Sequence, residues 1–359
     1  MTRRRLGLAV LGIIALVAVI SYSRRAEIST RIVDRVAERR LAADPLAELA
    51  DGLHVGLCGA GSPLQDAERS GPCTLVIAGR RLFLFDAGAS ASRNLVRMGF
   101  NPGDLEALFI THFHSDHIDG LGEVMLQRWA GGSRSDPLPV YGPSGIDGVL
   151  AGFMQAYTPD KGYRVAHHGP AVVPPEGFGG IARPFESAEP DGRVVLVAEP
   201  DLEIVAFTVD HEPVHPAVGY RIRYKDRTVV LSGDTRKSAN VQREAKGVDL
   251  LVHEALSEPL VAVLQRGAAQ AGRDNLARIF ADIPGYHTTP EQAAEVARDA
   301  GAGYLLLNHI VPALPVPGLD AAFLGDSARI FGGPVRIGVD GDFVSLPAGS
   351  KRIELGHRG

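Results

Sequence analysis

The chain has 359 residues, of which 45% are hydrophobic and 22% charged, with 42 glycines and 24 prolines; this balance excludes a disordered or fibrous chain and supports a substantial core. A formal net charge of −5 provides no general basic field for holding nucleic acid, so any such contact must be local. Two cysteines, Cys58 and Cys73, exclude a disulfide framework and a cysteine-rich zinc module, and leave a single bridge or two buried thiols open.

The chain begins with Arg3, Arg4 and Arg5, then an uncharged apolar run from Leu6 to Ile20, then Arg24 and Arg25. A basic stretch ahead of an apolar one reads as a signal peptide or membrane anchor over 1–22. It implies an exported or inner-membrane-anchored, periplasmic catalytic domain, with membrane contact through 6–22 if the segment is retained. Ile28, Ile32, Val33 and Val36 then recur at helical spacing among charges, which predicts a stalk helix within a linker over 23–50, broken at Asp44-Pro45. One domain is predicted over 51–348, followed by a tail over 349–359.

Within that domain, short apolar runs end in titratable residues. The run 82–85 stops at Asp86, 108–110 at His112, 229–231 at Asp234, 250–252 at His253 and Glu254, and 305–307 at His309. Continuous apolar runs suit strands buried on both faces, and the polar residues at their ends place a site along one rim of a sheet. Helical patterns fall at 90–98, 117–130, 144–156, 237–246, 256–267, 290–300 and 320–331, with Thr289, Pro290 and Glu291 forming a strong N-terminal signal. The Pro- and Gly-rich stretch 162–190 predicts a long loop near the rim. Gly59 to Pro63 reads as a tight turn, and Trp129 as a core residue or a pocket wall.

Three imidazoles and a carboxylate crowd into 112–117. On a turn leaving a buried strand, His112 and His114 can converge on one ion while Asp116 and His117 face a neighbouring one, and this donor set suits zinc and related divalent ions. The pattern His112-x-His114-x-Asp116-His117 resembles the signature of the metallo-β-lactamase superfamily. The other parts of that pattern follow in order: Asp86-Ala87-Gly88, then His211 ahead of Gly219-Tyr220-Arg221-Ile222, then Ser232-Gly233-Asp234-Thr235, then Asn308-His309. The resemblance runs from Asp51 to Val344 and implies an α/β fold, a four-layer αβ/βα sandwich, here behind an N-terminal hydrophobic helix. It also implies two divalent metal ions, zinc first, with manganese or iron tolerated. His112, His114 and His211 would hold one ion, Asp116, His117 and His309 the other, and Asp234 would bridge them. His215 competes with His211, which is preferred because it directly follows the apolar run 204–209; His167 and His168 read as loop histidines.

His253-Glu254-Ala255-Leu256 and His287-Thr288-Thr289 resemble two loops of the ribonuclease Z and arylsulfatase-like branch. That likeness implies that Glu254 orients His287, which serves the leaving group, with Asp116 also in the catalytic set. The implied activity is hydrolysis of a phosphodiester or sulfate ester by a metal-bridging hydroxide. Sparse cations over 162–190 and the export-type start put a small-molecule ester ahead of tRNA as substrate. A ribonuclease Z-like tRNA 3′-processing endoribonuclease is the alternative. A non-catalytic tethered binding protein comes after it, opposed by the complete ligand set, and a homodimer stays open.

Overall fold

The computed structural model describes residues 10, 11, 13–15, 19–186 and 192–359, and these divide into two compact units, Met1–Glu48 and Leu49–Gly359. In the first unit, α1 (Arg25–Ala42) adopts the helical spacing read from the sequence, and its Ile28, Ile32, Val33 and Val36 are exposed. Part of the apolar run 6–20 lies outside the described residues. Among the described residues, no helix is long and apolar enough to cross a membrane. The signal or anchor expected over 1–22 falls in part outside the described residues.

Among the described residues, the second unit carries fifteen strands: β1 (Gly52–Gly59), β2 (Cys73–Ala78), β3 (Arg81–Phe85), β4 (Leu105–Phe109), β5 (Leu138–Pro143), β6 (Gly180–Phe185), β7 (Arg193–Ala198), β8 (Leu202–Thr208), β9 (Val218–Tyr224), β10 (Arg227–Leu231), β11 (Leu250–Leu256), β12 (Leu305–Val311), β13 (Val335–Ile337), β14 (Asp342–Pro347) and β15 (Glu354–His357). They form one sheet ordered β15-β14-β1-β2-β3-β4-β5-β6 and another ordered β13-β12-β11-β10-β9-β8-β7. Its helices are α2 (Ala91–Arg97), α3 (Ser115–Ile118), α4 (Leu121–Leu126), α5 (Ile146–His168), α6 (Ala239–Glu244), α7 (Glu258–Gln270), α8 (Asp274–Asp282), α9 (Pro290–Ala300), α10 (Leu319–Leu324) and α11 (Ser327–Phe331).

Leu53, Val76, Phe83 and Phe109 of the first sheet share a buried cluster with Ile204, Tyr220, Val252 and Leu306 of the second, so the two sheets face each other across it. Alternate residues of the second sheet point the other way, where Val230, Leu251 and Leu305 meet Ala293, Ala294 and Ala297 of α9. On the outer side of the first sheet, α2 lies against β1, and α5 against β5 and β6. This is the four-layer αβ/βα sandwich, and burial on both faces is why its strands read as unbroken apolar runs.

Pairs β3–β4, β4–β5 and β10–β11 are parallel, so the chain leaves β3, β4 and β10 at the same rim, at Asp86, Thr111 and Ser232 respectively. Strands β11 and β12 run further than expected, because Ala255 and Leu256 pair with Ile310 and Val311, all four buried. The register slips between Glu254 and Ala255, with Glu254 opposite Asn308 and Ala255 opposite Ile310. His309 is thus the extra residue of a β-bulge, and it adopts a φ of 46°, which re-aims its side chain within a continuous strand.

Four expectations change, the first being the single helix read over 320–331, which is two, α10 and α11, parted at Gly325. The described part of the stretch 162–190, up to 186, is no long loop: α5 continues through Pro159 to His168, and Val173 and Phe178 then pack on Trp129. The indole N–H of Trp129 donates to the Pro174 carbonyl at 2.5 Å, so Trp129 is a core residue. The single helix expected over 117–130 is broken at Gly120, whose N–H donates to the Ala87 carbonyl at 2.7 Å. An unpredicted helix, α8, follows α7. Cys58 and Cys73 are joined in a disulfide with Cα atoms 5.0 Å apart, which closes the loop between β1 and β2.

That loop and the turn after β3 meet at Gly88, where an added Cβ would strike the Asp116 carbonyl and the Gly71 backbone. Gly88→Ala is expected to destabilise the chain by about 3 kcal/mol, read as a lower urea midpoint. Gly148→Ala, in α5 with nothing near its added Cβ, should raise that midpoint by roughly 0.5–1 kcal/mol. Equal midpoints for the two variants would show that the Gly88 contact carries no weight.

Candidate metal centre

Each residue expected at the site arrives from a strand end, a following turn or the β12 bulge. His112 and His114 lie in the turn after β4, Asp116 and His117 in the short helix α3, His211 after β8, Asp234 after β10 and His309 in the bulge. His112, His114, His211 and Asp234 offer ligand atoms within 4.8 Å of one another; so do Asp116, His117 and His309, and so do Asp234, His287 and His309. Asp234 Oδ2 lies 3.2 Å from His309 Nε2, 3.3 Å from His117 Nε2, 3.8 Å from His112 Nε2 and 3.9 Å from His211 Nε2. It therefore stands between the two groups. Asp116 Oδ2 is 3.3 Å from His309 Nε2 and 3.6 Å from His117 Nε2.

These contacts fit divalent cations. His114 Nδ1 lies 3.0 Å from His112 Nε2 and 3.3 Å from His211 Nε2, so three ring nitrogens point at one another. His117 Nε2 is buried and lacks any hydrogen-bond partner. Burial pushes His112 well below the usual imidazole range and also lowers His114 and His211, which favours the neutral form that ligates metals. Burial alone would raise the Asp234 carboxyl, but His309, His117 and His112 around it hold it well below the usual carboxylate range. His215 is exposed, and so are His167 and His168 at the end of α5.

Outer contacts fix the orientation of the rings. Asp86 Oδ1 accepts from the Thr111 N–H at 2.8 Å, and its Oδ2 accepts from Thr111 Oγ1 at 2.9 Å and from His117 Nδ1 at 2.8 Å. The last bond turns His117 Nε2 towards Asp234. His211 Nδ1 donates to the Tyr286 carbonyl at 2.9 Å. The part played by Thr111 was not foreseen, since a threonine before a histidine cluster carries no signal of its own.

Beside the cluster, Glu254 Oε1 accepts from the Thr235 N–H at 3.2 Å, the Thr288 N–H at 3.0 Å and His287 Nδ1 at 3.1 Å. Glu254 is 1% exposed. Burial pushes the His287 imidazole down, but the Glu254 carboxylate and its hydrogen bond lift it to about 9. The His287 ring is stacked 5.4 Å from that of His309, and both line one cleft with His114, Asp116 and Asp234.

This arrangement agrees with the comparisons to known proteins. The chain matches the metallo-beta-lactamase superfamily over residues 67–309. It belongs to that superfamily. A ribonuclease Z of Mycolicibacterium gilvum is 37% identical over 290 residues, covering 80% of this chain and 94% of the relative; one of Mycobacterium avium is 36% identical over 300 residues, covering 83% and 100%. Among solved structures, the metallo-beta-lactamase fold protein YhfI of Bacillus subtilis superposes with a TM-score of 0.59 at 21% identity, covering 82% of this chain and 100% of that one. The short form of human tRNase Z gives 0.57 at 19%, covering 82% and 99%. The chain is thus a metal-dependent hydrolase acting on ester bonds, in the ribonuclease Z branch of the superfamily. The non-catalytic alternative is set aside. The exported or membrane-anchored placement is corrected as well: the relatives covered over nearly their whole length are named ribonuclease Z.

Asp86→Ala should lower metal affinity about 10–100-fold without changing the far-ultraviolet circular dichroism, as measured by competition with a chromogenic chelator. Wild-type affinity in this variant would remove Asp86 from the support of His117.

Proposed function

We propose that this chain is a ribonuclease Z-like endoribonuclease that hydrolyses a phosphodiester of precursor tRNA at its 3′ side. The observation that carries the reading is the buried Glu254–His287 pair, 3.1 Å apart, set beside the cluster of candidate ligands. Relatives named ribonuclease Z, covered over 94–100% of their length, support tRNA over the small exported ester. The preference for a small ester rested on an export signal and on a cation-poor arm; the first is corrected above, and 162–190 holds the end of α5 and β6 in place of an arm.

His112, His114 and His211 would hold one divalent ion, Asp116, His117 and His309 the other, and Asp234 would face both; zinc suits these donors best. Such ions lower the pKa of water and offset charge on phosphoryl oxygens. The chain's own residues deal with the leaving group. Because His287 Nδ1 donates to Glu254, its proton for transfer sits on Nε2. The Glu254 carboxylate raises the pKa of the ring, which favours its protonated form. As the P–O bond breaks, the departing alkoxide oxygen takes that proton and the imidazole is left neutral. The backbone N–H groups of Thr235 and Thr288 hold the Glu254 carboxylate in place, so the ring's tautomer and plane are fixed before substrate arrives.

The full chain, loaded with zinc, is expected to cut a precursor tRNA at its 3′ junction, and a chelator or Asp234→Ala should abolish cutting. His287→Ala should lower kcat about 100-fold or more, and Glu254→Ala about 10–100-fold, with metal content unchanged in both. Turnover of bis(p-nitrophenyl) phosphate without tRNA cutting would move the substrate back to a small diester. Unchanged kcat in Glu254→Ala would remove the relay.

A further inference from the structure

The cleft that opens onto Asp234, His287 and His309 has a volume of about 270 Å³. Its outer wall comes from α8 and the 3-10 turn Ile283–Tyr286, which bring Phe280, Ile283 and Tyr286 opposite Leu64 and Val311. Leu64, Phe280 and Ile283 pack against a small core of Leu256, Val261 and Val311, so the wall has a fixed shape. The Tyr286 ring lies 5.3 Å from the His211 ring at 79° and 5.0 Å from the His287 ring, which holds it next to the group that serves the leaving oxygen. Among the described residues, no Lys or Arg lines this cleft.

A phosphate chain is normally gripped by cations, and this wall offers none. Flat apolar rings set beside a polar reaction centre are the means by which proteins hold single unpaired bases, through stacking and exclusion of water. A cavity of this size takes one planar ring system and its sugar, not a base pair. We infer that the cleft is a pocket for one unpaired nucleobase, in which Phe280 and Tyr286 hold the nucleotide next to the scissile bond through its base. The inference rests on the phosphodiesterase reading above and names the part of the substrate recognised there. It makes Phe280 and Tyr286 specificity residues, since neither carries a proton in the reaction.

The test is a calorimetric titration of the full, zinc-loaded chain with adenosine 5′-monophosphate and with ribose 5-phosphate, which differ by the base alone. The nucleotide is expected to bind about tenfold or more tightly than the sugar phosphate. Phe280→Ala and Tyr286→Ala should each cut most of that preference and leave ribose 5-phosphate affinity unchanged. Phe280→Leu, which keeps an apolar side chain against Leu256, Val261 and Val311 but removes the flat face, should behave like Phe280→Ala. Equal affinity for the two ligands, no measurable binding of the nucleotide, or a preference that survives in all three variants would overturn the pocket. Precursor tRNA cutting is measured in parallel. A base preference without tRNA cutting would sink the tRNA reading and leave the pocket standing, whereas tRNA cutting without a base preference would sink the pocket alone.

Discussion

Five imidazoles and two carboxylates are held against one another at a buried rim, with Asp234 Oδ2 within 4 Å of four ring nitrogens. Burial of so many titratable groups is unfavourable unless a cation satisfies them; here burial lowers the pKa of His112, His114 and His211, and the imidazoles around Asp234 keep its carboxyl ionised. The rest of the fold answers to this constraint. Parallel strands deliver β3, β4 and β10 to the same edge, glycine contacts at Gly88 and Gly120 bring the turns together, and a bulge in β12 tips His309 inwards. Because these are backbone devices, the ligand geometry is set by main-chain packing as well as by side-chain choice.

Much of this was legible in the sequence. Unbroken apolar runs ending in Asp or His gave both the buried sheets and the rim, and Pro290–Ala300 folds with the capping box its sequence announces. His211 was separable from His215 by its place after an apolar run, and the structure brings only the former to the cluster. What escaped depends on long-range pairing. Nothing local marks His309 as a bulge residue; that follows from the partners that Ala255 and Leu256 find 55 residues further along. Helix α5 overrides the usual cost of an internal Pro159, and a proline- and glycine-rich stretch was therefore misread as loop. Helix α8 could have been seen: Leu276, Ile279, Phe280 and Ile283 recur at helical spacing, but the segment is short and no residue of the helix is fully buried. The N-terminal basic and apolar run matched the pattern of a targeting segment by composition alone.

Two kinds of surface meet in the cleft. One side is polar, with Glu254 gathering Thr235, Thr288 and His287 on a single oxygen. The other is apolar and is carried by a helical segment that leans on a satellite core. The two sides meet at Tyr286, whose carbonyl accepts from His211 Nδ1 and whose ring lies against His211 and His287, so the apolar wall and the polar centre are joined there.

The two partners of the relay are 33 residues apart in the chain, and α7 and α8 fill the interval between them. The helical hairpin is therefore a closed loop whose neck is the hydrogen bond from His287 to Glu254. Closure entropy rises only slowly with loop length, so insertions or deletions at the tip leave the neck almost untouched. Over evolutionary time such an excursion can be rebuilt, lengthened or exchanged while the same two residues meet at its base.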